Sequence, residues 1–250
     1  MKKRNRLIQI GVVIVFCAVL FYGAAQQSKV VTIYFVRHGQ TDTNVDGLLV
    51  GTSGNPVLTE TGIQMALTLG EGLQDVSFDA AYSSTLQRAC DTAVLVLEGA
   101  GQSDLAVVTL DGLKDISWGD AEGMTSEELY ETFGVTAMDE SFGSVDDAAF
   151  VSPTGAETAY AFCSRFENAV ASIVDASENG DVVLVVAHSS MDFYFEKYFP
   201  EQAGTGVDNC SVTILRYDNG AYPKTGSLDN RVRKISMIIN NGKIYNLSVP

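Results

Sequence analysis

The two histidines of this 250-residue chain each follow a run of strand-forming residues. His38 follows Ile33-Tyr-Phe-Val-Arg, and His188 follows Val182-Val-Leu-Val-Val-Ala. A continuous apolar run such as the second is typical of a strand that is buried on both faces. Because ligands of open α/β sheets bind beyond the carboxyl ends of the strands, we expect the two imidazoles to meet at one edge of a sheet.

Two arginines stand at similar positions. Arg37 directly precedes His38, and Arg88 follows the strand-like segment 78–84, in the first turn of a predicted helix. A guanidinium group presents a planar fork of donors to phosphate oxygens, so two arginines can clamp a doubly charged tetrahedral anion. Gly39 lets the backbone approach such an anion closely. These strand ends therefore predict a phosphate site.

Strand and helix patterns alternate along the rest of the chain. Apolar residues recur at helical spacing over residues 58–73 and 158–176. Asn241-Gly242, between two strand-like segments, is a strong hairpin signal. This alternation predicts one α/β domain over residues 29–250 with three layers: a mostly parallel central sheet and helices on both of its faces.

An insert over about residues 133–153 interrupts this pattern. It is rich in glycine, serine and acidic residues such as Asp146 and Asp147, which makes it too polar for the core. We expect either a solvated loop or a lid beside the site, because long loops are often functional.

Residues 1–28 differ in composition from the rest of the chain. A basic cluster within residues 2–6 precedes an almost wholly apolar segment, 7–25, which ends in Gly23-Ala24-Ala25. This order is typical of a signal peptide that is cleaved after Ala25, and the length of the apolar segment also suits an uncleaved membrane anchor. Either case predicts an exported domain, secreted or at the cell surface.

The charge of the chain restricts its partners. The formal net charge is −15, and the leader holds four of the sixteen basic residues and no acidic one. Without the leader, twelve basic residues face 31 acidic ones, a formal charge of −19. Such a surface repels nucleic acid and anionic lipid, so we expect no nucleic-acid partner, and membrane contact only through an uncleaved leader.

The four cysteines indicate neither a disulfide framework nor, with only two histidines, a metal cluster. Cys17 lies in the leader. Cys90, Cys163 and Cys210 are expected to be buried thiols, with a Cys90–Cys163 pair as the alternative.

Several ordered motifs, over most of the exported part, resemble those of the histidine phosphatase (phosphoglycerate mutase-like) superfamily. The plain form Arg37-His38-Gly39-Gln40-Thr41, without a second Arg and a Pro, points away from the phytase-like branch. The matching segments are residues 37–41 with Asn44, 58–66, 83–93, 119–125, and 155–158 with Arg165 downstream. The resemblance implies a phosphoglycerate mutase-like fold.

The resemblance also implies a mechanism that needs no metal or cofactor. His38 would attack phosphorus and form a phosphohistidine, which water then hydrolyses. Arg37, Arg88, His188 and Asn44 would bind the phosphoryl oxygens. An imidazole attacks only when it is neutral, and the flanking arginines should lower the pKa of His38 by charge repulsion.

Three residues depart from the family pattern. The acid that protonates the leaving group is a Glu in the family and corresponds to Asp115, which is one methylene shorter; Glu122 is the alternative acid. Ser189-Ser190 follows His188, where the family usually has Gly, and a side chain there would narrow the pocket or add a hydroxyl to the phosphate. Gln40 replaces a Glu. None of these changes removes the nucleophile or an arginine.

These observations predict an exported, metal-independent phosphatase that acts on a small phosphorylated substrate, a phosphoester or a phosphoanhydride. The alternatives are a bisphosphoglycerate-dependent mutase, a phosphatase of phosphohistidine proteins, and a non-catalytic module that binds a phosphorylated ligand. An exported chain has little access to glycolytic intermediates, which disfavours the mutase. Asp115 and Ser189 depart from the family pattern, and these departures motivate the alternative of a binding module without turnover.

Overall fold

The computed structural model describes residues 29–135, 138–198, 207–218, 233–240 and 243–247. Its strands are β1 (Val30–Arg37), β2 (Ala80–Ser84), β3 (Val107–Leu110), β4 (Val182–Ala187), β5 (Val212–Asp218), β6 (Arg233–Asn240) and β7 (Lys243–Leu247). Its helices are α1 (Asp42–Val45), α2 (Glu60–Gly72), α3 (Gln87–Gly99), α4 (Ser126–Phe133), α5 (Met138–Phe142), α6 (Ala159–Ala176) and α7 (Met191–Tyr198). Two short 3-10 turns cover Asp111–Leu113 and Gly119–Ala121.

The strands are ordered β3-β2-β4-β1-β5-β6-β7 across the sheet. Strands β3, β2, β4 and β1 run parallel to one another, and β5, β6 and β7 are each antiparallel to their neighbours. Over β3 to β5 the sheet is mixed and mostly parallel, which confirms the predicted α/β fold. Strands β6 and β7 pair from Asn240 and Lys243 onward, as the hairpin signal predicts; the turn residues 241–242 lie outside the described residues.

Helices cover both faces of the sheet. Successive side chains of a strand point to opposite faces. Ile33 and Phe35 of β1 therefore enter a core with α6 and α7. Leu184 and Val186 of β4 enter a second core with α2 and α3. This is the three-layer arrangement that the alternating pattern predicts.

The register of the parallel strands brings the two histidines together. Arg37, at the end of β1, is paired with Ala187, at the end of β4. The amide of His38 donates to the carbonyl of Ala187 at 3.0 Å. Since His188 directly follows Ala187, strand pairing alone makes the two histidines neighbours.

The insert is packed rather than wholly solvated. It contains α5, and Phe142 at the end of this helix is fully buried. The Phe142 ring lies 4.5 Å from that of Trp118 and 5.6 Å from that of Phe193, between centroids. The solvated-loop interpretation is wrong for this part, because Phe142 and Val145 anchor the segment although their neighbours are polar. A role as a lid stays a prediction.

The cysteines of the described chain are free thiols. Cys163 and Cys210 are buried, whereas Cys90 is partly exposed. Burial raises the pKa of Cys163 and of Cys210 to about 12. In this structure the alternative Cys90–Cys163 disulfide is not formed, and the two buried thiols are weak nucleophiles.

The leader lies outside the described residues, so its role stays a prediction. In the part of the chain that the structure does describe, none of the helices has the length and apolar character needed to cross a bilayer.

The packing of the insert predicts a specific loss of stability. Replacing Phe142 by alanine should lower the free energy of unfolding by about 3–5 kcal/mol, because it removes a ring from a close-packed core. Chemical denaturation of the full chain measures this difference. Val151→Ala is the matched control in the same segment: Val151 is 84 % exposed, so we expect a change within about 0.5 kcal/mol. Small and equal changes in the free energy of unfolding of the two variants would show that the insert does not contribute to the core.

Candidate active site

His38 follows β1 directly, and the residue is 3 % exposed. Its Nδ1 lies 2.7 Å from the carbonyl oxygen of Gly39. Since a carbonyl oxygen only accepts, Nδ1 carries the proton and the lone pair is on Nε2. Nε2 accepts a hydrogen bond from Nε of Arg88 at 3.2 Å. The nitrogen that can attack therefore faces a guanidinium group, where an anion would bind.

Arg88 stands in the first turn of α3 and is 1 % exposed. Its Nη2 donates to the carbonyl of Gly51 at 3.0 Å and to Oδ2 of Asp115 at 3.0 Å. A buried charge needs such partners, because an unpaired one is strongly destabilising. Nη1, by contrast, is buried and has no hydrogen-bond partner among the described residues.

Arg37, His38, Arg88 and His188 form what we call the anion cradle. Within the described chain, four of its buried nitrogen atoms have no hydrogen-bond partner: Arg37 Nε, Arg88 Nη1, and Nδ1 and Nε2 of His188. The rings of His38 and His188 are 5.2 Å apart, between centroids. Leaving one buried polar group unpaired costs about 1–3 kcal/mol, so several together are unusual. A bound oxyanion would pair with the donors among them.

Both imidazoles of the cradle are neutral at pH 7. Burial is the largest cause that lowers the pKa of His38 well below its usual value, and His188 and the two arginines lower it further. Burial also lowers the pKa of His188, followed by the charges of Arg88, Arg37 and Arg165. The neutral form is the one that can attack phosphorus. The sequence predicted the direction of the pKa shift of His38 correctly, but burial contributes more to this shift than the two arginines do.

Asp115 follows the first 3-10 turn and extends into the cradle, with 6 % exposure. Its Oδ2 accepts from Arg88 at 3.0 Å and lies 3.5 Å from Nδ1 of His188. Its Oδ1 accepts from Oγ of Ser190 at 2.6 Å and from the amide of Ile116 at 3.0 Å. The sequence pointed to the Ser189-Ser190 pair for a contact with phosphate, whereas in the structure the hydroxyl of Ser190 binds the carboxylate of Asp115. The predicted acid thus lies in the site, with donors on both oxygens.

Arg165 of α6 fixes the backbone that carries Asp115. Its Nη2 donates to the carbonyl of Asp115 at 2.7 Å, and its Nη1 to those of Gly112 at 3.0 Å and Lys114 at 2.7 Å. Glu157 accepts from the same guanidinium through both carboxylate oxygens, at 2.6 and 2.7 Å. Glu157 and Arg165 belong to one of the motifs found in the sequence, and together they position the loop that carries Asp115.

Glu122, the alternative acid, is bound to the backbone of the loop whose Gly51 carbonyl contacts Arg88. Its carboxylate accepts from three backbone amides, those of Gly51 (2.8 Å), Thr52 (3.1 Å) and Trp118 (3.1 Å). These bonds hold the loop whose Gly51 carbonyl receives Arg88. A Cβ at position 51 would come 1.9 Å from the carbonyl oxygen of Ile116, so this loop requires glycine. Whether Glu122 takes part in proton transfer stays a prediction.

Asn44 and Ser189, the other predicted phosphate ligands, are partly exposed. Asn44 completes the capping box of α1 with Thr41, and its Oδ1 also accepts from Nδ2 of Asn209 at 3.2 Å. Ser189 stands between His188 and α7. Contacts of either side chain with phosphate stay predictions.

Two further residues brace the cradle and were not predicted. Nδ2 of Asn209 donates to the carbonyl of His38 at 2.9 Å. Oγ1 of Thr92 accepts from the amide of Gly39 at 2.9 Å and donates to the carbonyl of Arg88 at 2.6 Å. No pattern in the sequence relates Asn209 to His38, because 171 positions separate them.

The donor atoms of His38, Asp115 and His188 lie within 4.8 Å of one another, a spacing that could hold a metal ion. Arg88 contacts two of these residues, through Nε and Nη2. The positive charge of this buried guanidinium would repel a metal cation, so the site suits an anion better. That the reaction needs no metal stays a prediction.

The chain resembles known proteins over most of its length. The family model described as "Histidine phosphatase superfamily (branch 1)" matches residues 33–226. The 2,3-bisphosphoglycerate-dependent phosphoglycerate mutase of Bartonella quintana is 39 % identical over 105 residues, 41 % of this chain and 50 % of that protein. The chain thus spans about half the length of this curated relative.

Solved structures with the same fold include mutases and phosphatases. The phosphoglycerate mutase of Bacillus anthracis is 31 % identical, with a TM-score of 0.68 over 79 % of this chain and 92 % of that chain. A mycobacterial glucosyl-3-phosphoglycerate phosphatase, in a complex with VO3, is 26 % identical, with a TM-score of 0.61 over 74 % of this chain and 92 % of that chain.

The neutral histidines predict a loss of stability in mild acid. The fold lowers both pKa values. The unfolded chain therefore binds more protons below the ordinary histidine pKa of about 6.5, and the free energy of unfolding falls as the pH falls. Between about pH 6.5 and pH 5.5 the two histidines together should remove about 2 kcal/mol, measured by urea denaturation. The variant His188→Asn should lose about half as much; an unchanged pH dependence in this variant would contradict a neutral His188.

Proposed function

Since the chain belongs to branch 1 of the histidine phosphatase superfamily, we propose that it is a phosphatase that hydrolyses a small phosphoester or phosphoanhydride through a phosphohistidine on His38. Relatives within this superfamily include phosphatases and mutases, and we favour an enzyme of the first kind. The observation that carries the proposal is the set of unpaired buried nitrogens around a neutral imidazole. A phosphoryl group has the charge and the acceptor oxygens to pair with the donors among them.

The contacts of His38 support an in-line attack. The lone pair of Nε2 attacks phosphorus while the bond to the leaving group breaks. In the free protein, Nε2 accepts from Nε of Arg88; the phosphoryl group takes over this donor when it binds. The carbonyl of Gly39 accepts a hydrogen bond from Nδ1, so the proton stays on Nδ1. The same contact stabilises the positive charge that develops on the ring. Arg37 and His188 supply further donors for the equatorial oxygens, where charge must be held.

Hydrolysis of the phosphohistidine completes the cycle. Water attacks phosphorus from the side that the leaving group has vacated, and the electrons of the Nε2–P bond return to Nε2 of His38. Both protons of the water leave with the dihydrogen phosphate, so His38 returns to its neutral form. Burial favours this form because it penalises the imidazolium.

A mutase is the second candidate, because relatives such as the Bartonella quintana protein are mutases. A mutase passes the phosphoryl group of the phosphohistidine to a phosphoglycerate instead of to water. We favour hydrolysis because an exported domain would have little access to glycolytic intermediates. A module that binds a phosphorylated ligand without turnover is the third candidate.

We also propose that the domain works outside the cytoplasm. Residues 1–25 support this, because a basic cluster precedes an apolar segment, as in a signal peptide. The formal charge of −19 beyond the leader fits a small phosphorylated substrate better than nucleic acid or an anionic membrane surface.

Replacing His38 by alanine should abolish turnover of p-nitrophenyl phosphate, with a loss of about 10³-fold or more, because the nucleophile is removed. Phosphate release by the purified full chain measures this. The wild type, quenched during turnover, should hold covalent phosphate that is stable in base and released in acid, as a P–N bond predicts. Val108→Ala, an exposed change on the edge strand β3, is the control and should keep full activity.

The other candidates give different results in the same assay. Transfer of phosphate to a monophosphoglycerate in preference to water would identify a mutase. Bound inorganic phosphate, with no turnover on a broad panel of phosphoesters, would identify a binding module.

The leader predicts the N-terminus of the mature protein. If the signal peptide is cleaved after Ala25, the protein recovered from the native secretory route begins at Gln26. Mass spectrometry of the intact protein measures this. An uncut chain in the membrane fraction would identify an anchor, and an uncut chain in the cytoplasm would contradict export.

A further inference from the structure

We propose that Ser190 is a positioning residue for proton transfer: its hydroxyl holds Asp115 so that Oδ2 carries the proton that the leaving group receives. The inference rests on the proposed phosphatase function and assigns a role in it to a residue outside the anion cradle. It starts from a contact between two departures from the family pattern. Asp115 and Ser190 are 75 positions apart in the sequence, yet Oγ of Ser190 donates to Oδ1 of Asp115 at 2.6 Å.

The contact between Ser190 and Asp115 is buried. Asp115 is 6 % exposed and Ser190 is 3 % exposed, so little water competes for the hydrogen bond. Its length is that of a strong bond from a hydroxyl to a carboxylate. Ser190 directly precedes α7, and the amide of Phe193 in that helix donates to its carbonyl at 3.1 Å. The hydroxyl therefore projects from a backbone that the start of a helix holds in place.

The two oxygens of Asp115 have different surroundings. Oδ1 accepts from two donors, the hydroxyl of Ser190 and the amide of Ile116 at 3.0 Å. Oδ2 accepts from Nη2 of Arg88 at 3.0 Å and lies 3.5 Å from Nδ1 of His188. A proton on Oδ1 would point at hydrogens that are already there, whereas Oδ2 keeps room for one. The proton of the carboxyl group is therefore placed on the oxygen that faces the cradle.

A short acid depends on this orientation more than a long one does. Aspartate is one methylene shorter than glutamate, and a general acid must lie within hydrogen-bond reach of the leaving oxygen. Rotation about the Cβ–Cγ bond exchanges Oδ1 and Oδ2 and is only weakly restricted in a free side chain. The hydroxyl of Ser190 opposes this rotation, and a glycine at the same position could not. The serine thus compensates for the shorter acid.

The proton moves in the first chemical step. The phosphoryl group brings negative charge beside the carboxylate of Asp115, and repulsion between like charges favours uptake of a proton when the substrate binds. Nε2 of His38 attacks phosphorus, the P–O bond breaks, and its electron pair stays on the leaving oxygen, which takes the proton from Oδ2. After water has hydrolysed the phosphohistidine, Asp115 regains a proton from the solvent before the next turnover.

The test compares p-nitrophenyl phosphate with an alkyl monophosphate as substrates of the purified full chain. A p-nitrophenolate leaves as the anion, whereas an alkoxide needs the proton. In Ser190→Ala, we expect the fall in kcat/KM to be about tenfold or more larger for the alkyl phosphate, since a positioned general acid contributes about 10²- to 10⁴-fold. The selective loss should lie in kcat rather than in KM. A loss by the same factor for both substrates, or no loss, would overturn the proposal.

Two further variants separate the hydroxyl from its surroundings. Ser190→Thr keeps the hydroxyl and should keep the ratio of the two substrates close to that of the wild type; a selective loss as large as in Ser190→Ala would contradict the role of the hydroxyl. Ser189→Ala is the matched control, the neighbouring serine. If Ser189 contacts the phosphate, both substrates should slow by the same factor, and a selective loss in this variant alone would assign the positioning to Ser189 instead.

Asp115→Glu gives an independent test of the compensation. With Ser190 in place, the extra methylene drives the carboxyl group against the hydroxyl, so turnover of the alkyl phosphate should fall. In a Ser190→Gly background the same change should raise kcat/KM for the alkyl phosphate by about tenfold or more, because residues in contact do not act additively. A change by the same factor in both backgrounds would show that the two departures are unrelated.

These outcomes are distinct from a failure of the proposed function. If the chain is not a phosphatase, neither substrate is hydrolysed by the wild type and no phosphohistidine is trapped. Where Ser190→Ala does not fold, Ser190→Cys decides, because a thiol fills the space of the hydroxyl but is a weak donor. It should show the selective loss for the alkyl phosphate, and an unchanged ratio would overturn the proposal.

Discussion

The buried guanidinium of Arg88 connects the parts of the site. It bridges His38, the carbonyl of Gly51 and the carboxylate of Asp115, which come from three separate segments of the chain. Arginine suits this position because it keeps its charge when buried, whereas a lysine readily loses its proton. The charge is tolerated only while Asp115 is in place, and Arg165 holds the backbone of Asp115. Removal of one partner leaves a buried charge unpaired, so these contacts form or fail together.

Burial gives the cradle both of its chemical properties. It makes the imidazolium form of His38 unfavourable, so the proposed nucleophile stays neutral near pH 7. It also strengthens the attraction between the arginines and an anion, because little water is present to screen them. Close backbone packing produces this dry site. A Cβ at Gly39 would lie 2.6 Å from the carbonyl oxygen of Gly62 in α2, so glycine is needed there for packing as well as for any approach to an anion.

The parts of this site that the sequence predicts are those fixed by local pattern. The apolar runs before His38 and His188 identify two parallel strands, and their pairing brings the imidazoles together. Arg88 was predictable because it opens a helix after a third strand. The contacts that complete the site depend on segments far apart in the chain: Asn209 reaches His38 across 171 positions, and no local signal reports this. Phe142 was missed because one ring among polar neighbours does not produce a hydrophobic period.

The charge of the molecule and the charge of its site have opposite signs, and this contrast has a consequence for recognition. With a formal net charge of −15, the chain repels a phosphorylated ligand at long range. Salt screens that repulsion beyond about 8 Å at physiological ionic strength, but does little to the buried cradle. Added salt should therefore speed the approach of an anionic substrate and leave its contacts in the site largely intact. A polyanion keeps most of its charges outside the cradle, in the repulsive field, whereas a small phosphorylated substrate places its charge against the arginines. By the position of its charges, the proposed site should therefore favour compact anions over polyanions.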